Sequence, residues 1–163
     1  MRILKSLLIV IFELAIIQVK AQEYKNNVIL ELGGNAYYYS LNYERSFAKK
    51  IVFRTGISYL EKSIVLPNTI GMLVGKNKHY LEIAVGGVYM NYHQTVNGNP
   101  VSRKNSIAMT GVFGYRYVTV DRRVLLKAGY TPFLPIYNDD PLDSGTYPTS
   151  IRHWVGAGVG YMF

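Results

Sequence analysis

The chain has 163 residues, 18 lysines and arginines against 10 acids, a formal net charge of +8 at pH 7, 15 tyrosines and no cysteine. That length suits one domain, and the lack of cysteine excludes disulfides, thiolate metal sites, a cysteine nucleophile and a lipid-bearing cysteine behind a leader. The basic residues stand singly and in turns without forming a stripe, so nucleic acid is not expected as a partner.

At the start, Arg2 and Lys5 precede an apolar run from Leu7 to Ile17, and the small Ala21 follows Val19-Lys20. This is the layout of a secretory signal peptide over residues 1–21, cleaved after Ala21, and the run is too short to be a spanning helix. Residues 22–163 then form one domain. No later stretch approaches the ~20 apolar residues of a spanning helix, so a membrane-resident chain would have to be a barrel.

Alternation of apolar and polar residues is the signature of a strand with two unlike faces, and eight such stretches follow. Strand 27–34 sets Val28, Leu30 and Leu32 against Glu31, and Gly33-Gly34-Asn35 reads as a turn. Strand 37–47 carries Tyr37, Tyr39, Leu41, Tyr43 and Phe47 on one face and Ser40, Asn42 and Glu44 on the other. After Ala48-Lys49-Lys50, strand 51–62 opposes Ile51, Phe53, Ile57 and Tyr59 to Arg54, Gly56 and Ser58. Pro67 and Asn68 mark a connection, and strand 68–74 is the shortest. Strand 79–91 opposes Leu81, Ile83, Val85 and Tyr89 to Glu82, Ala84 and Gly86. Residues 92–104 read as a polar loop around Asn97-Gly98-Asn99-Pro100.

Strand 105–118 alternates Ile107, Met109, Phe113, Tyr115 and Tyr117 with Ser106, Thr110, Gly114 and Arg116. Strand 123–131 alternates Val124, Leu126, Ala128 and Tyr130 with Leu125, Lys127 and Gly129. The longest loop, 132–150, holds Pro132, Pro135, Pro141 and Pro148, and all six prolines are expected in connections or at a strand start. Strand 151–163 ends on Gly160-Tyr161-Met162-Phe163, with Val155, Ala157, Val159, Tyr161 and Phe163 sharing one face.

That terminal motif resembles the assembly signal of bacterial outer-membrane β-barrels, and the layout of the mature chain resembles the small eight-stranded barrels of the OmpA/OmpX type. The fold expected is all-β: an eight-stranded antiparallel transmembrane barrel of up-and-down order. The resemblance implies residence in the outer membrane of a Gram-negative bacterium after chaperoned transit through the periplasm. It implies insertion by the barrel-assembly machinery, with Gly160, Tyr161 and Phe163 in the signal, contact with outer-membrane lipids, and no peptidoglycan-binding domain after the barrel. A monomer is expected. Short turns after the second, fourth and sixth strands, and longer connections at the other end, fit that layout. The turns Lys49-Lys50, Lys76/Lys78 and Arg122-Arg123 would meet anionic headgroups there.

If the apolar face is outside, Glu31, Glu44, Glu82, Arg54, Arg116 and Lys127 face a narrow interior, where three acids and three bases must pair. Periodicity alone does not separate this from a soluble lipocalin-like barrel with the faces exchanged. Three functional readings therefore stand: a structural or adhesive surface barrel without an open pore, a lipid-modifying enzyme, and a soluble secreted ligand-binding barrel. Small outer-membrane barrels that hydrolyse or transfer lipid acyl chains use histidine, serine and a carboxylate; the corresponding candidates are His153, Ser150 and Asp143, with no family motif around them. The histidines 79, 93 and 153 show no ligand spacing, so no metal is expected. Gly71 to Lys76 resembles a phosphate loop one residue short, with Asn77 where a serine or threonine would hold magnesium, and reads better as the fourth strand and its turn. No cofactor is expected, and the non-enzymatic reading is preferred.

Overall fold

The computed structural model describes residues 26–48, 50–60, 63–96, 99–121, 123–138 and 151–163. The expected signal peptide lies outside the described residues. Nine strands share one sheet: β1 Asn26–Gly33, β2 Tyr39–Ala48, β3 Ile51–Leu60, β4 Ser63–Lys76, β5 His79–Val96, β6 Asn99–Val118, β7 Val124–Tyr130, β8 Phe133–Asn138 and β9 Val155–Met162. All neighbours are antiparallel.

β7 and β8 both pair with β6, so they occupy a single position in the wall, interrupted at Thr131-Pro132. Pro132 has no N–H for the ladder, although its carbonyl still accepts from the Gly111 N–H at 3.1 Å. Counted this way, eight spans form the wall. β1 closes it against β9, with Val28 opposite Tyr161 and Leu30 opposite Val159. Closure leaves no free edge around the body of the sheet.

The alternation decides which face is inside. Among the described residues, 16 buried residues are polar or charged and 10 are apolar. Leu30, Leu41, Ile57, Ile70, Ile83, Met109, Leu126 and Val159 are instead exposed on the outer wall. A soluble barrel requires the opposite arrangement. Many exposed aromatic rings lie near the ends of the wall, Tyr39, Tyr59, Tyr89 and Tyr130 toward the long connections and Phe47, Tyr115, Tyr161 and Phe163 toward the short turns, while Phe113, opposite Ile83, is exposed between them. Two apolar clusters sit inside. Ile29, Val118 and Leu125 lie near the short turns with Tyr80 and Met162. Val88, Ala108 and Phe133 lie near the long connections with Tyr37, Val65, Met90 and Trp154.

Four sequence expectations are corrected. β4 is 14 residues long and starts at Ser63, so Pro67 lies within a strand. The β3–β4 ladder skips from Thr55↔Asn68 to Ser58↔Val65, bypassing Pro67, which has no donor to give. On its other side Pro67 stays opposite Val88. Residues 92–104 belong mostly to a hairpin, since β5 and β6 pair as far as Val96↔Asn99. Its polarity concealed it as strand, because only a strand inside the apolar wall needs a greasy face. The stretch 132–150 opens with β8, which contains Pro135. β9 is shorter than 151–163, beginning at Val155.

Candidate functional site

Period-two alternation places Glu44 of β2 directly opposite Arg54 of β3, and closure brings Glu31, Glu82, Arg116 and Lys127 to the same interior. The Glu44 carboxylate accepts from Arg54 Nη2 at 2.7 Å and Nε at 3.1 Å. It also accepts from Arg116 Nη1 at 2.6 Å and Nη2 at 2.8 Å, and from Asn27 Nδ2 at 2.7 Å. Glu82 accepts from Arg54 Nη2 and, at 2.8 Å, from Arg116 Nη2. Lys127 Nζ lies 3.0 Å from Glu31 and 3.9 Å from Glu82. All six residues are buried, and the structure joins them in one neutral network.

Sequence reasoning did not single out the neutral partners. Asn27 and Asn42 share the inward parity of Glu31 and Glu44, and that parity was the available signal. Asn42 Nδ2 donates to Ser40 Oγ at 2.8 Å and to Glu31 at 3.4 Å. Space around Glu31 depends on Gly34: it has φ +70°, and a Cβ there would lie 2.5 Å from the Glu31 carboxylate oxygen. Each of the three carboxylates is thus held by cations or amides.

A second cluster lies at the mouth nearest the long connections. The β1–β2 connection bends inward through a short 3-10 turn, Gly34–Ala36, whose residues are buried. Asn35 Oδ1 accepts from Thr110 Oγ1 at 3.0 Å. Tyr37 follows at φ 70°, ψ −72°, a strained γ-turn closed by Tyr38 N–H donating to the Ala36 carbonyl at 3.0 Å. Its surroundings hold it there. The ring stacks on Phe133 with centroids 4.8 Å apart, and its carbonyl accepts from Trp154 Nε1 at 2.7 Å. Burial pushes the Tyr37 phenol above its usual pKa, opposed by the adjacent Arg152 guanidinium.

On the outer side of this mouth, His153 Nδ1 and the Tyr130 hydroxyl share a hydrogen bond of 2.5 Å. Gly33, Tyr37, Tyr38, Tyr130, His153, Trp154 and Val155 line a groove of about 470 Å³.

The architecture has a solved counterpart. It matches the crystal structure of the N-terminal β-barrel domain of Pseudomonas aeruginosa OprF with a TM-score of 0.64. Identity is 11%, over 85% of this chain and 96% of that one. The shared property is the fold. No family model and no curated protein matches the sequence.

The other candidates are placed as follows. Of the proposed trio, Ser150 and Asp143 lie outside the described residues, and the neighbour that the structure gives His153 is Tyr130. His79 sits at the opposite rim, hydrogen-bonded through Nδ1 to the Tyr115 hydroxyl. The backbone of His93 pairs with Arg103 in the hairpin. Among the described residues, no group of three His, Asp or Glu side chains could hold a metal ion. Gly160 packs inward near Ile29 and Leu125, and Tyr161 and Phe163 are exposed. Phe163 exchanges backbone hydrogen bonds with Asn26 at 2.8 and 3.1 Å. Gly71 and Gly75 lie in β4, inside a paired ladder, so the stretch from Gly71 is wall and not a phosphate loop.

Proposed function

We propose that the protein is an outer-membrane β-barrel with a structural or adhesive role and no open pore. In this reading it is exported through a signal peptide cleaved after Ala21, and residues 22–163 form the barrel. The observation that carries the reading is inverted burial: ion-paired acids and bases inside, and apolar side chains around the whole outer wall. Lipid accepts such a wall, and water does not. The aromatic rings near both ends of the wall suit the two membrane–water interfaces. The lumen is narrow and crossed by the charge network between two apolar clusters, which supports a plugged barrel. The β5–β6 hairpin would be displayed at the outer surface. Outer-membrane lipids, the barrel-assembly machinery and, at the short turns, anionic headgroups are the partners this reading assigns.

The test is electrophoresis of the membrane fraction, boiled against unboiled, with detergent extraction alongside. A mobility shift together with detergent-dependent solubility is the expected result. A protein that stays soluble without detergent would refute the reading. Release of a trapped dye from vesicles carrying the folded protein would refute the absence of a pore.

A further inference from the structure

The groove at the outer mouth is not needed to close the barrel, yet it is built with unusual care. Its inner wall is Tyr37, fixed in a backbone conformation that costs energy and is held by Trp154 and Phe133. Strain of that kind persists where the surroundings over-determine it, and it clusters at ligand clamps. The groove opens onto exposed apolar side chains, with Val155 71% and Tyr38 65% exposed. His153 lines it, and Arg152, hydrogen-bonded to the Tyr37 hydroxyl, stands beside it; both are exposed. Among the described residues that line it, none is acidic.

We propose that this groove binds a single anionic lipid with a phosphomonoester headgroup from the leaflet at that end of the barrel. The inference rests on the membrane reading above. The phosphate would meet Arg152 and His153. The apolar part of the lipid would lie along Val155 and between the Tyr38 and Tyr130 rings. Aromatic rings with one wet end suit this depth, and a guanidinium matches a phosphate in geometry as well as charge.

Trp154 is the chain's single tryptophan and lines the groove, so its fluorescence reports occupancy. The protein is reconstituted in phosphatidylcholine vesicles containing a small, equal fraction of either brominated phosphatidic acid or brominated phosphatidylcholine. Brominated phosphatidic acid is expected to quench Trp154 with about a fivefold preference, the worth of one cation at an anionic lipid. That preference should vanish in the doubly substituted Arg152→Gln, His153→Gln protein. It should also weaken in Tyr38→Ser, an exposed turn position whose change leaves the barrel intact and which serves if the double variant does not fold. Equal quenching by the two lipids, or a preference that survives both variants, would overturn the site while leaving the membrane reading standing. Inorganic phosphate added to protein in detergent should leave the fluorescence unchanged; a change would overturn the assignment to a lipid. Failure of the protein to float with the vesicles would overturn the membrane reading on which the site rests.

Discussion

Glu44 concentrates the interior electrostatics at one residue. It is fully buried and holds two guanidiniums and the Asn27 amide. Replacing it with glutamine keeps the volume but leaves Arg54 and Arg116 as positive charges facing a neutral amide. Breaking one member of a buried ionic cluster costs about 3–5 kcal/mol. Glu44→Gln should lower stability by that order in urea unfolding from lipid vesicles, with the folded mobility retained at low urea. Asp121 shows a milder version of the same logic in a turn. It accepts from Thr119 Oγ1 at 2.5 Å and from the Arg123 N–H at 3.2 Å, and these bonds hold its carboxyl below the usual range. Because the folded value is the lower one, the turn's contribution is complete above an unfolded value of about 3.9 and is lost as pH falls through the folded value. The expected consequence is a small fall in stability below about pH 4 that Asp121→Asn no longer shows.

Elements differ in how openly the sequence declares them. β1, β2, β3 and the lower half of β6 alternate cleanly, because each has lipid-facing and lumen-facing residues to distinguish. β4 concealed its first half behind Pro67, and β8 lay behind Pro132 and Pro135; proline reads as punctuation even where a ladder carries on along its other side. The far ends of β5 and β6 were concealed by polarity. Beyond Asn91 no β4 residue pairs with β5, and beyond Ser106 no β8 residue pairs with β6. This two-stranded extension therefore adds nothing to closure among the described strands. A short peptide tag inserted between Val96 and Asn99 should leave folding and heat-modifiable mobility unchanged. It should be reached by antibody on intact cells; a tag reached only after lysis would reverse the assigned orientation.

At the scale of the whole molecule, the number of spans and the parity of the six charged residues of the network were legible, because a period of two survives errors of a few residues at strand ends. The period alone did not say which parity faced inward, since exchanging the faces leaves the pattern identical; the aromatic terminal motif pointed to the charged face inside, and closure and burial agree. The mouth was illegible for a different reason. Tyr37, Phe133 and Trp154 meet only through the closed barrel, and Tyr37 and Trp154 are 117 residues apart. The inverted wall makes its own prediction. Ile83 is exposed near the middle of β5's paired span. Ile83→Arg should cost about 2–4 kcal/mol on folding into vesicles, the range for a cation near the midplane. In a water-facing wall the same change would be close to neutral.

The pairing of β1 with β9 also governs how the barrel can form. The first strand waits for the last, so no subset of the sequence completes the ring. The other wall contacts join strands nearer in sequence, most of them through short loop closures with small entropic cost. The final seam joins the partners farthest apart in sequence, and such non-local pairing is slow. Until it forms, β1 and β9 each present an unpaired edge, open to strands from other chains. Sealing this seam is therefore the step at which correct folding and aggregation compete.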